Sequence, residues 1–220
     1  MNIVFDIGNV LIRWNLHAAF AGHFASPAET DAYLAEVGFS DWNRQQDGGR
    51  SWAEAVDDLR ARHGERAHPA SLYPERHRLT IAEPIEGTWN LIQRLAENGH
   101  ALYAITNWSA ESWNDALALH PRLTDRFRDI VVSGREKMLK PDPAIYRLLM
   151  DRNGLEASDC LFIDDSAANV EGARAVGMDA VLFTDPAALE RELNDRWLLC
   201  PRTIPARPTT SPIWTRTRSG

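Results

Sequence analysis

The sequence predicts an α/β protein in which helices cover both faces of a parallel sheet. Five short apolar runs suit buried parallel strands, and segments of helical periodicity separate them. The long stretch between the first two runs has helical periodicity alone and is far longer than a βα crossover requires. We therefore expect a Rossmann-like, doubly wound parallel sheet of order 3-2-1-4-5, with a small helical cap inserted after its first strand.

The predicted strands are each too short to be an ordinary helix and are bounded by turn or helix signals. They are expected at Ile3–Ile7, Ala101–Thr106, Asp129–Ser133, Cys160–Asp164 and Ala180–Phe183. Three of the intervening helices have clear limits and are expected at Glu86–Asn98, Asp142–Asn153 and Ser166–Val176. A glycine directly follows each of the three, as is usual where helices end.

The insertion gives the chain its expected domain organisation. Residues 1–15 and 81–200 are assigned to the core and residues 16–80 to the cap. Within the cap, helices are expected at Ala28–Val37, Ser51–His63 and, more weakly, Ser71–Leu79, with a turn over residues 46–50. Because the insertion directly follows the first strand, we expect it to fold over the strand ends. The alternative is a peripheral helical subdomain.

Composition limits the classes of function. At 220 residues and 44% hydrophobic, the chain can bury one core with an inserted subdomain. A net charge of −7 gives no reason to expect a nucleic acid or an anionic membrane as partner. No signal peptide or membrane-spanning run is evident, and Cys160 and Cys200 form no spaced framework. We expect a soluble cytoplasmic protein, either a monomer or a homodimer.

Residues 201–220 form a basic, proline-rich tail with four prolines, four arginines and no acidic residue. The absence of periodicity in this tail predicts disorder. Without the tail, the body of the chain has 20 basic and 31 acidic residues and a net charge of −11.

Acidic residues end two of the predicted strands. Asp6 ends the first strand just before Gly8, where the chain can turn tightly, and Asp164 and Asp165 end the fourth. Strands one and four are neighbours in the expected order, so the three carboxylates meet at the topological switch point. Adjacent carboxylates repel unless a cation offsets them, and hard oxygen ligands suit Mg²⁺. Alone, Asp6 is equally well explained as an acid that caps a turn.

Two further strand ends carry phosphate-binding chemistry. Thr106 and Asn107 end the second strand and offer a hydroxyl and a free N–H at an expected helix start. Lys140 opens the sequence KPDP, whose two prolines stiffen the approach to a helix, and it offers one compact positive charge. Singly, the first pair suits a plain helix cap and the lysine a solvated side chain. The four sites in this order are far more specific.

The four sequences FDIGNV (5–10), ITN (105–107), KPDP (140–143) and FIDD (162–165) resemble the motifs of the haloacid dehalogenase (HAD) superfamily of aspartate-nucleophile phosphohydrolases. The resemblance covers residues 1–183 and is greatest to the branch that includes α-D-glucose-1-phosphate phosphatase. It implies that Asp6 attacks phosphorus to form an aspartyl-phosphate, which water hydrolyses. Lys140, Thr106 and Mg²⁺ would offset the charge on the transferring oxygens of a small-molecule phosphate ester.

The same resemblance implies a set of magnesium ligands. They would be Asp6, the Gly8 carbonyl and Asp164, with or without Asp165. Asn169, one turn into the following helix, would hold these ligands in place. Two tryptophans that follow strands, Trp14 and Trp108, would line the leaving-group pocket, although core packing is the usual place of a tryptophan. Arg44 and Asp47, near the cap turn, are expected to contribute polar specificity.

The sequence departs from the family pattern at Gly8. Most phosphatases of the superfamily carry an aspartate there, which acts as general acid and base. Glycine has no side chain to protonate a leaving oxygen, and no carboxylate follows Asp6 until Glu29. The loss is worth roughly 10² to 10⁴ in rate and less for good leaving groups, such as an anomeric sugar oxygen. His17 is a candidate substitute, but a structural histidine at the cap hinge is the favoured interpretation.

Two alternatives stay open. A metal-independent 2-haloacid dehalogenase also lacks the second acid, because halide leaves without a proton. Retention of Asp164 and Asp165 favours Mg²⁺ and phosphate over that chemistry. The third interpretation is a non-catalytic HAD-like protein that binds phosphate or metal, which the presence of the nucleophile, the lysine and the metal acids disfavours.

Overall fold

A computed structural model describes residues 1–199 of the chain. In that range a five-stranded parallel sheet has the order β3-β2-β1-β4-β5, so the predicted fold class and strand order are confirmed. The strands are β1 (Asn2–Phe5), β2 (Ala101–Thr106), β3 (Asp129–Val132), β4 (Cys160–Asp164) and β5 (Asp179–Leu182). β1 is central and pairs in parallel with both β2 and β4.

The described residues contain twelve α-helices, with short 3₁₀ helices at Leu16–Phe20, Gly64–Ala67 and Ala157–Asp159. The first five are α1 (Pro27–Glu36), α2 (Phe39–Asp47), α3 (Trp52–His63), α4 (His68–Ser71) and α5 (Tyr73–Thr80). The others are α6 (Glu86–Glu97), α7 (Trp113–Leu119), α8 (Arg122–Arg126), α9 (Ser133–Glu136), α10 (Pro143–Asn153), α11 (Ala167–Ala175) and α12 (Pro186–Asp195). Within residues 1–199, every helix is too short or too polar to cross a membrane.

Alternate residues of each strand face opposite sides of the sheet and build two separate cores. Ile3 and Phe5 of β1 pack in one core with Trp89 of α6. Val4 of the same strand packs in the other core with Tyr146 of α10. Helices therefore bury both faces of β1. This packing fixes the position of Asp6, the residue that follows the strand.

The helices between residues 16 and 80 have an apolar cluster of their own. Tyr73 is fully enclosed there, with its ring centroid 4.9 Å from that of Phe39 and 5.7 Å from that of Trp52. Trp42 in the same cluster donates from its indole to the Ala55 carbonyl at 2.7 Å. We interpret these helices as the cap, and the proposed domain limits stay a prediction.

The structure corrects three element limits. The turn predicted over 46–50 begins only at Gly48, because α2 continues through Asp47. The helix predicted at Ser71–Leu79 is α5 and begins only at Tyr73, with a proline in its first turn, because Ser71 is the last residue of α4. β1 ends at Phe5 and not at Ile7, since the Ile7 carbonyl accepts N–H groups from the tight turn that follows.

Two predictions fall outside the described residues, namely the disordered tail over 201–220 and the state of Cys200. Cys160, the other cysteine, begins β4 and is a free thiol that is fully buried. Burial raises the pKa of this thiol, as expected for an unreactive core residue.

Candidate active site

Asp6 lies directly after the central strand. Its backbone N–H still pairs with the Ile163 carbonyl of β4 at 2.8 Å, which fixes the residue at the carboxyl edge of the sheet. The residue is 7% exposed, and its Oδ1 atom accepts the Ile7 N–H at 2.7 Å. Burial raises the pKa of this carboxyl to about 7; the charge of Lys140 lowers it and that of Asp164 raises it. A further positive charge near Asp6 would therefore favour the ionised form of its carboxyl.

Lys140 provides one positive charge at this point. Its Nζ atom lies 2.8 Å from Asp6 Oδ1 and 2.7 Å from Asp164 Oδ2, and it donates to the Ile105 carbonyl at 2.9 Å. The side chain is fully buried, which opposes its charge, but the two carboxylates raise its pKa above the ordinary value. Lys140 is therefore a cation fixed between two acids.

The backbone of Lys140 is held by Asn107. The Lys140 N–H donates to Asn107 Oδ1 at 2.9 Å, and Asn107 Nδ2 donates to the Lys140 carbonyl at 3.1 Å. The peptide bond between Lys140 and Pro141 is cis. The sequence assigned Asn107 to substrate binding at a helix start. Its side chain holds the Lys140 backbone and the residue also lines the cavity described below, so substrate binding stays a prediction, whereas the next helix begins only at Trp113.

The acid pair at the end of β4 divides into two environments. Asp164 is fully buried and accepts from Asn169 Nδ2 at 3.0 and 3.1 Å and from the Ser166 N–H at 2.8 Å. Asp165 is the more exposed of the two and receives a hydrogen bond from the side chain of Asn9. Desolvation, followed by the charge of Asp164, raises the pKa of Asp165. Asn169 therefore orients Asp164, while Asp165 retains oxygens for a ligand.

These carboxylates fit a divalent cation. Asp6, Asp164 and Asp165 each offer one oxygen, and the three oxygens lie within 4.8 Å of one another. Three carboxylates against the single ammonium of Lys140 leave an excess of negative charge, and all the donors are hard oxygens, the ligands that Mg²⁺ prefers. Because donors already occupy both oxygens of Asp164, Asp6 and Asp165 are the better placed to bind a metal directly.

A cavity of about 270 Å³ opens above this cluster. Core residues on its wall include Asp6, Gly8, Asn9 and Asp165, and the loop after β2 contributes Asn107, Trp108, Ser109 and Ser112. Helix α2 contributes four polar residues, which are Ser40, Asn43, Arg44 and Asp47. The aromatic part of the wall is formed by Trp14, Trp52, Tyr73 and Trp108, with His77 beside them. The cap and the core thus enclose one space over the acid cluster.

A family model for haloacid dehalogenase-like hydrolases matches residues 1–177 of this chain. The chain belongs to this family. Phe5 to Val10, Lys140 and the acid pair of β4 all fall within the matched part.

Relatives of this HAD-like hydrolase include phosphatases. Flavin mononucleotide hydrolase 1 of Arabidopsis thaliana is 32% identical over 115 residues, which are 50% of this chain and 44% of that protein. A sesquiterpene phosphatase of Aspergillus oryzae is 28% identical over 197 residues, which are 87% of this chain and 93% of that protein. A HAD family enzyme of Bacteroides thetaiotaomicron, solved with magnesium and inorganic phosphate, shares the fold with a TM-score of 0.62, at 21% identity over 84% of this chain and 94% of that one.

Two candidates from the sequence do not line the cavity of this hydrolase. Thr106 is 1% exposed, and its hydroxyl is buried without a partner among the described residues. His17, the candidate substitute acid, lies on the surface with its Nε2 atom 2.7 Å from Asp31 Oδ1. Both placements follow from local structure, because Thr106 is still in β2 and His17 is an exposed residue of a short 3₁₀ helix.

Sequence reasoning missed several residues of the cavity wall. His77 of α5 lies there with its ring centroid 5.7 Å from that of Trp108, and burial lowers its pKa to about 4. Ser40 and Asn43 share the wall with Arg44 because α2 presents one face to the cavity. Helix α2 was not predicted from the sequence, and Ser40, Asn43 and Arg44 are neighbours only when residues 39–47 are helical.

The rarity of lysine in this chain is a further signal for Lys140. Only two of the 24 basic residues are lysines, namely Lys137 and Lys140. Lys140 is fully buried, and its compact ammonium lies between two carboxylates.

Proposed function

We propose that this hydrolase is a Mg²⁺-dependent phosphatase that acts on a small phosphorylated metabolite through an aspartyl-phosphate on Asp6. The observation that carries the proposal is the contact of Lys140 Nζ with Asp6 Oδ1 and Asp164 Oδ2 beneath a cavity that Asp165 also lines. This is a nucleophile, a fixed cation and a set of metal ligands in one place.

The contacts of Asp6 indicate which oxygen attacks. Lys140 Nζ and the Ile7 N–H both contact Oδ1, so Oδ2 is the oxygen left for phosphorus. As the bond from Oδ2 to phosphorus forms, the bond from phosphorus to the leaving oxygen breaks. Water then attacks the same phosphorus, which releases phosphate and restores the Asp6 carboxylate. A bound Mg²⁺ would neutralise charge between the phosphate oxygens and the carboxylates.

Unpartnered donors on the cavity wall support a polar ligand. Trp108 Nε1 and Ser112 Oγ are buried and have no hydrogen-bond partner within the described part of the chain. A buried donor without a partner costs roughly 1 to 3 kcal/mol. Oxygens of a bound phosphate ester would remove that cost. Arg44 lines the same cavity from the cap and adds a positive charge.

The cavity favours a compact leaving group with a flat apolar face. Its volume of about 270 Å³ is small, and Trp14, Trp52 and Trp108 supply ring surfaces. Sugar rings and aromatic groups both pack well on indole faces. A sugar 1-phosphate is the first class to test, in keeping with the resemblance to α-D-glucose-1-phosphate phosphatase, because an anomeric oxygen leaves with less assistance from an acid.

The test is phosphate release from a panel of phosphorylated metabolites, with Mg²⁺ and with EDTA. The proposal expects turnover that requires Mg²⁺ and that falls by on the order of 10⁴-fold or more in Asp6→Asn, with unchanged circular dichroism. Asp195→Asn, an exposed acid of α12 that does not line the cavity, is the matched control.

Other outcomes contradict the proposal and favour its alternatives. Metal-independent release of chloride from 2-chloropropionate indicates a dehalogenase. Binding of Mg²⁺ without turnover of any ester indicates a non-catalytic protein. Full activity of Asp6→Asn removes the aspartyl-phosphate mechanism.

A further inference from the structure

The cap places a carboxyl group in the same cavity as Asp6. Asp47 is the last residue of α2, and it lines the cavity together with Ser40, Asn43 and Arg44. The spacing of these four positions along the helix is i, i+3, i+4 and i+7, so they form one face. That face is directed at the cavity over the acid cluster.

Asp47 is hydrogen-bonded to the loop that follows β2. Its carboxylate accepts the backbone N–H of Ser109, and its carbonyl accepts the Ser133 hydroxyl at 2.5 Å. The same Ser133 oxygen accepts the Trp108 N–H at 2.9 Å. Trp108 and Ser109 line the same cavity as Asp6 and Asp47, so an ester bound at Asp6 shares this space with the Asp47 carboxyl.

The surroundings of Asp47 favour its protonated form. Burial raises its pKa to about 7, while Arg44 and the Ser109 N–H act in the opposite direction. Asp47 is also the C-terminal residue of α2, where the unpaired carbonyls of a helix disfavour an anion. A carboxyl group that holds its proton near neutral pH is suited to give that proton to a leaving oxygen.

The other titratable groups that face the cavity are less suited to donate a proton. Asp6 contacts Lys140, and Asp165 receives the Asn9 hydrogen bond beside the acid cluster. His77, which packs on Tyr73 and Trp108, has a pKa lowered to about 4 by burial and so is neutral at pH 7. Burial raises the pKa of Tyr73 far above neutral pH, with the charge of Asp47 adding to the shift.

We propose that Asp47 is the general acid of this hydrolase, a proton donor supplied by the cap in place of the side chain that Gly8 lacks. The role rests on the proposed phosphatase function. In the first step the proton moves from the Asp47 carboxyl to the leaving oxygen as its bond to phosphorus breaks. In the second step the Asp47 carboxylate accepts a proton from the water that attacks the aspartyl-phosphate. Asp47 is thereby returned to its starting form.

The experiment compares two esters in wild type, in Asp47→Asn and in the control Asp41→Asn. p-Nitrophenyl phosphate has a leaving group that needs little protonation, whereas 2-phenylethyl phosphate has one that needs a proton. We expect Asp47→Asn to lower kcat for the alkyl ester by roughly 10²-fold or more and for the aryl ester by less than about 10-fold. Asp41 is exposed on the same helix and lies outside the cavity, so Asp41→Asn should change kcat for neither ester.

The pH profile distinguishes proton donation from positioning. In wild type, kcat/KM for the alkyl ester should fall as pH rises through about 7, the pKa of Asp47, and this limb should be absent in Asp47→Asn. Equal losses for the two esters, or an unchanged alkaline limb, overturn the role of Asp47 and leave the phosphatase intact. A wild type that hydrolyses neither ester overturns the proposed function itself.

Position 8 allows a rescue. A Cβ atom added at Gly8 would meet nothing within 4 Å, so the backbone there has room for the first atom of an aspartate side chain. In the double variant Gly8→Asp/Asp47→Asn we expect turnover of the alkyl ester to recover at least 10-fold relative to Asp47→Asn alone. Selectivity between the two esters that stays the same on addition of Gly8→Asp contradicts a proton-donor role.

Discussion

Replacement of Asp47 by asparagine should stabilise the fold at neutral and higher pH. The substitution removes a carboxyl that burial keeps from ionising, yet asparagine keeps an oxygen for the Ser109 N–H. A residue retained at a cost in stability is typical of a functional site. Stability therefore tests the burial of Asp47 without any assumption about the reaction.

The magnitude follows from the pKa of Asp47, which rises from an ordinary value of 3.8 to about 7 in the folded protein. Because the folded-state pKa is the higher one, the wild type is favoured at low pH and loses that advantage as pH rises through about 7. A shift of about three units corresponds to about 4 kcal/mol as an upper limit. Since the side chain is partly exposed, we expect a gain of about 2 to 4 kcal/mol for Asp47→Asn at pH 8 relative to pH 4.

The assay is urea denaturation, followed by circular dichroism at pH 4 and pH 8, of wild type, Asp47→Asn and Asp41→Asn. Contributions from other titrating groups cancel when the two pH values are compared between variant and wild type. Asp41→Asn should change the free energy of unfolding by less than about 0.5 kcal/mol at both pH values. The free energies of unfolding of Asp47→Asn and wild type are then compared at each pH. If they differ by the same amount at pH 4 and pH 8, the inference that Asp47 is buried and protonated is refuted.

Three other predictions concern the cavity and its floor. Gly8→Asp should raise turnover of alkyl phosphates by about 10-fold, because the site lacks a general acid at that position; a lower rate would show that glycine is an adaptation. Lys140→Met should lower the free energy of unfolding of the apo protein by about 3 to 5 kcal/mol in urea denaturation, since Asp6 and Asp164 lose their shared partner. The matched exposed control Lys137→Met should change this free energy by less than about 0.5 kcal/mol. Equal losses of stability in the two variants contradict the burial of Lys140. Burial lowers the pKa of His77 from 6.5 to about 4, so wild type should lose up to about 3 kcal/mol as pH falls through that range, and His77→Gln should abolish this loss in the same denaturation assay; an unchanged pH dependence counts against the burial of this ring.

The sheet could be predicted because its signals are local. Strands such as β2 and β4 are short apolar runs with polar residues at their carboxyl ends, and their predicted limits match the structure. Helix ends could also be predicted from local signals, as at Gly154, which has a positive φ of 62° and directly follows α10. Strand order then brought Asp6 and Asp164 together, since the carboxyl ends of neighbouring parallel strands share an edge.

The cavity wall was harder to predict because it depends on α2. This helix has nine residues between Gly38 and Gly48, and its buried positions, such as Phe39 and Trp42, fit helical spacing only over that short span. Without the helix, Asn43 and Asp47 have no common face, and Asp47 could be assigned only a general role in specificity. Contacts from distant segments decide its protonation.

Asn107 shows a second limit of sequence reasoning. An asparagine after a strand offers donors and an acceptor, and phosphate binding is one use of them. Its actual partners are the N–H and carbonyl of Lys140, 33 positions away in the chain. A pairing of this kind depends on the approach of the β3–α10 connection to β2 and has no local signature.

The most direct test of the mechanism is to trap the phosphorylated enzyme. Wild type should be mixed with Mg²⁺ and an ester that it hydrolyses, quenched in acid during turnover, digested with pepsin and analysed by mass spectrometry. The mechanism predicts a phosphoryl group on Asp6 that is absent from Asp6→Asn and from wild type in EDTA. Steady turnover with no phosphoryl group on Asp6, or with one on a different residue, would contradict it.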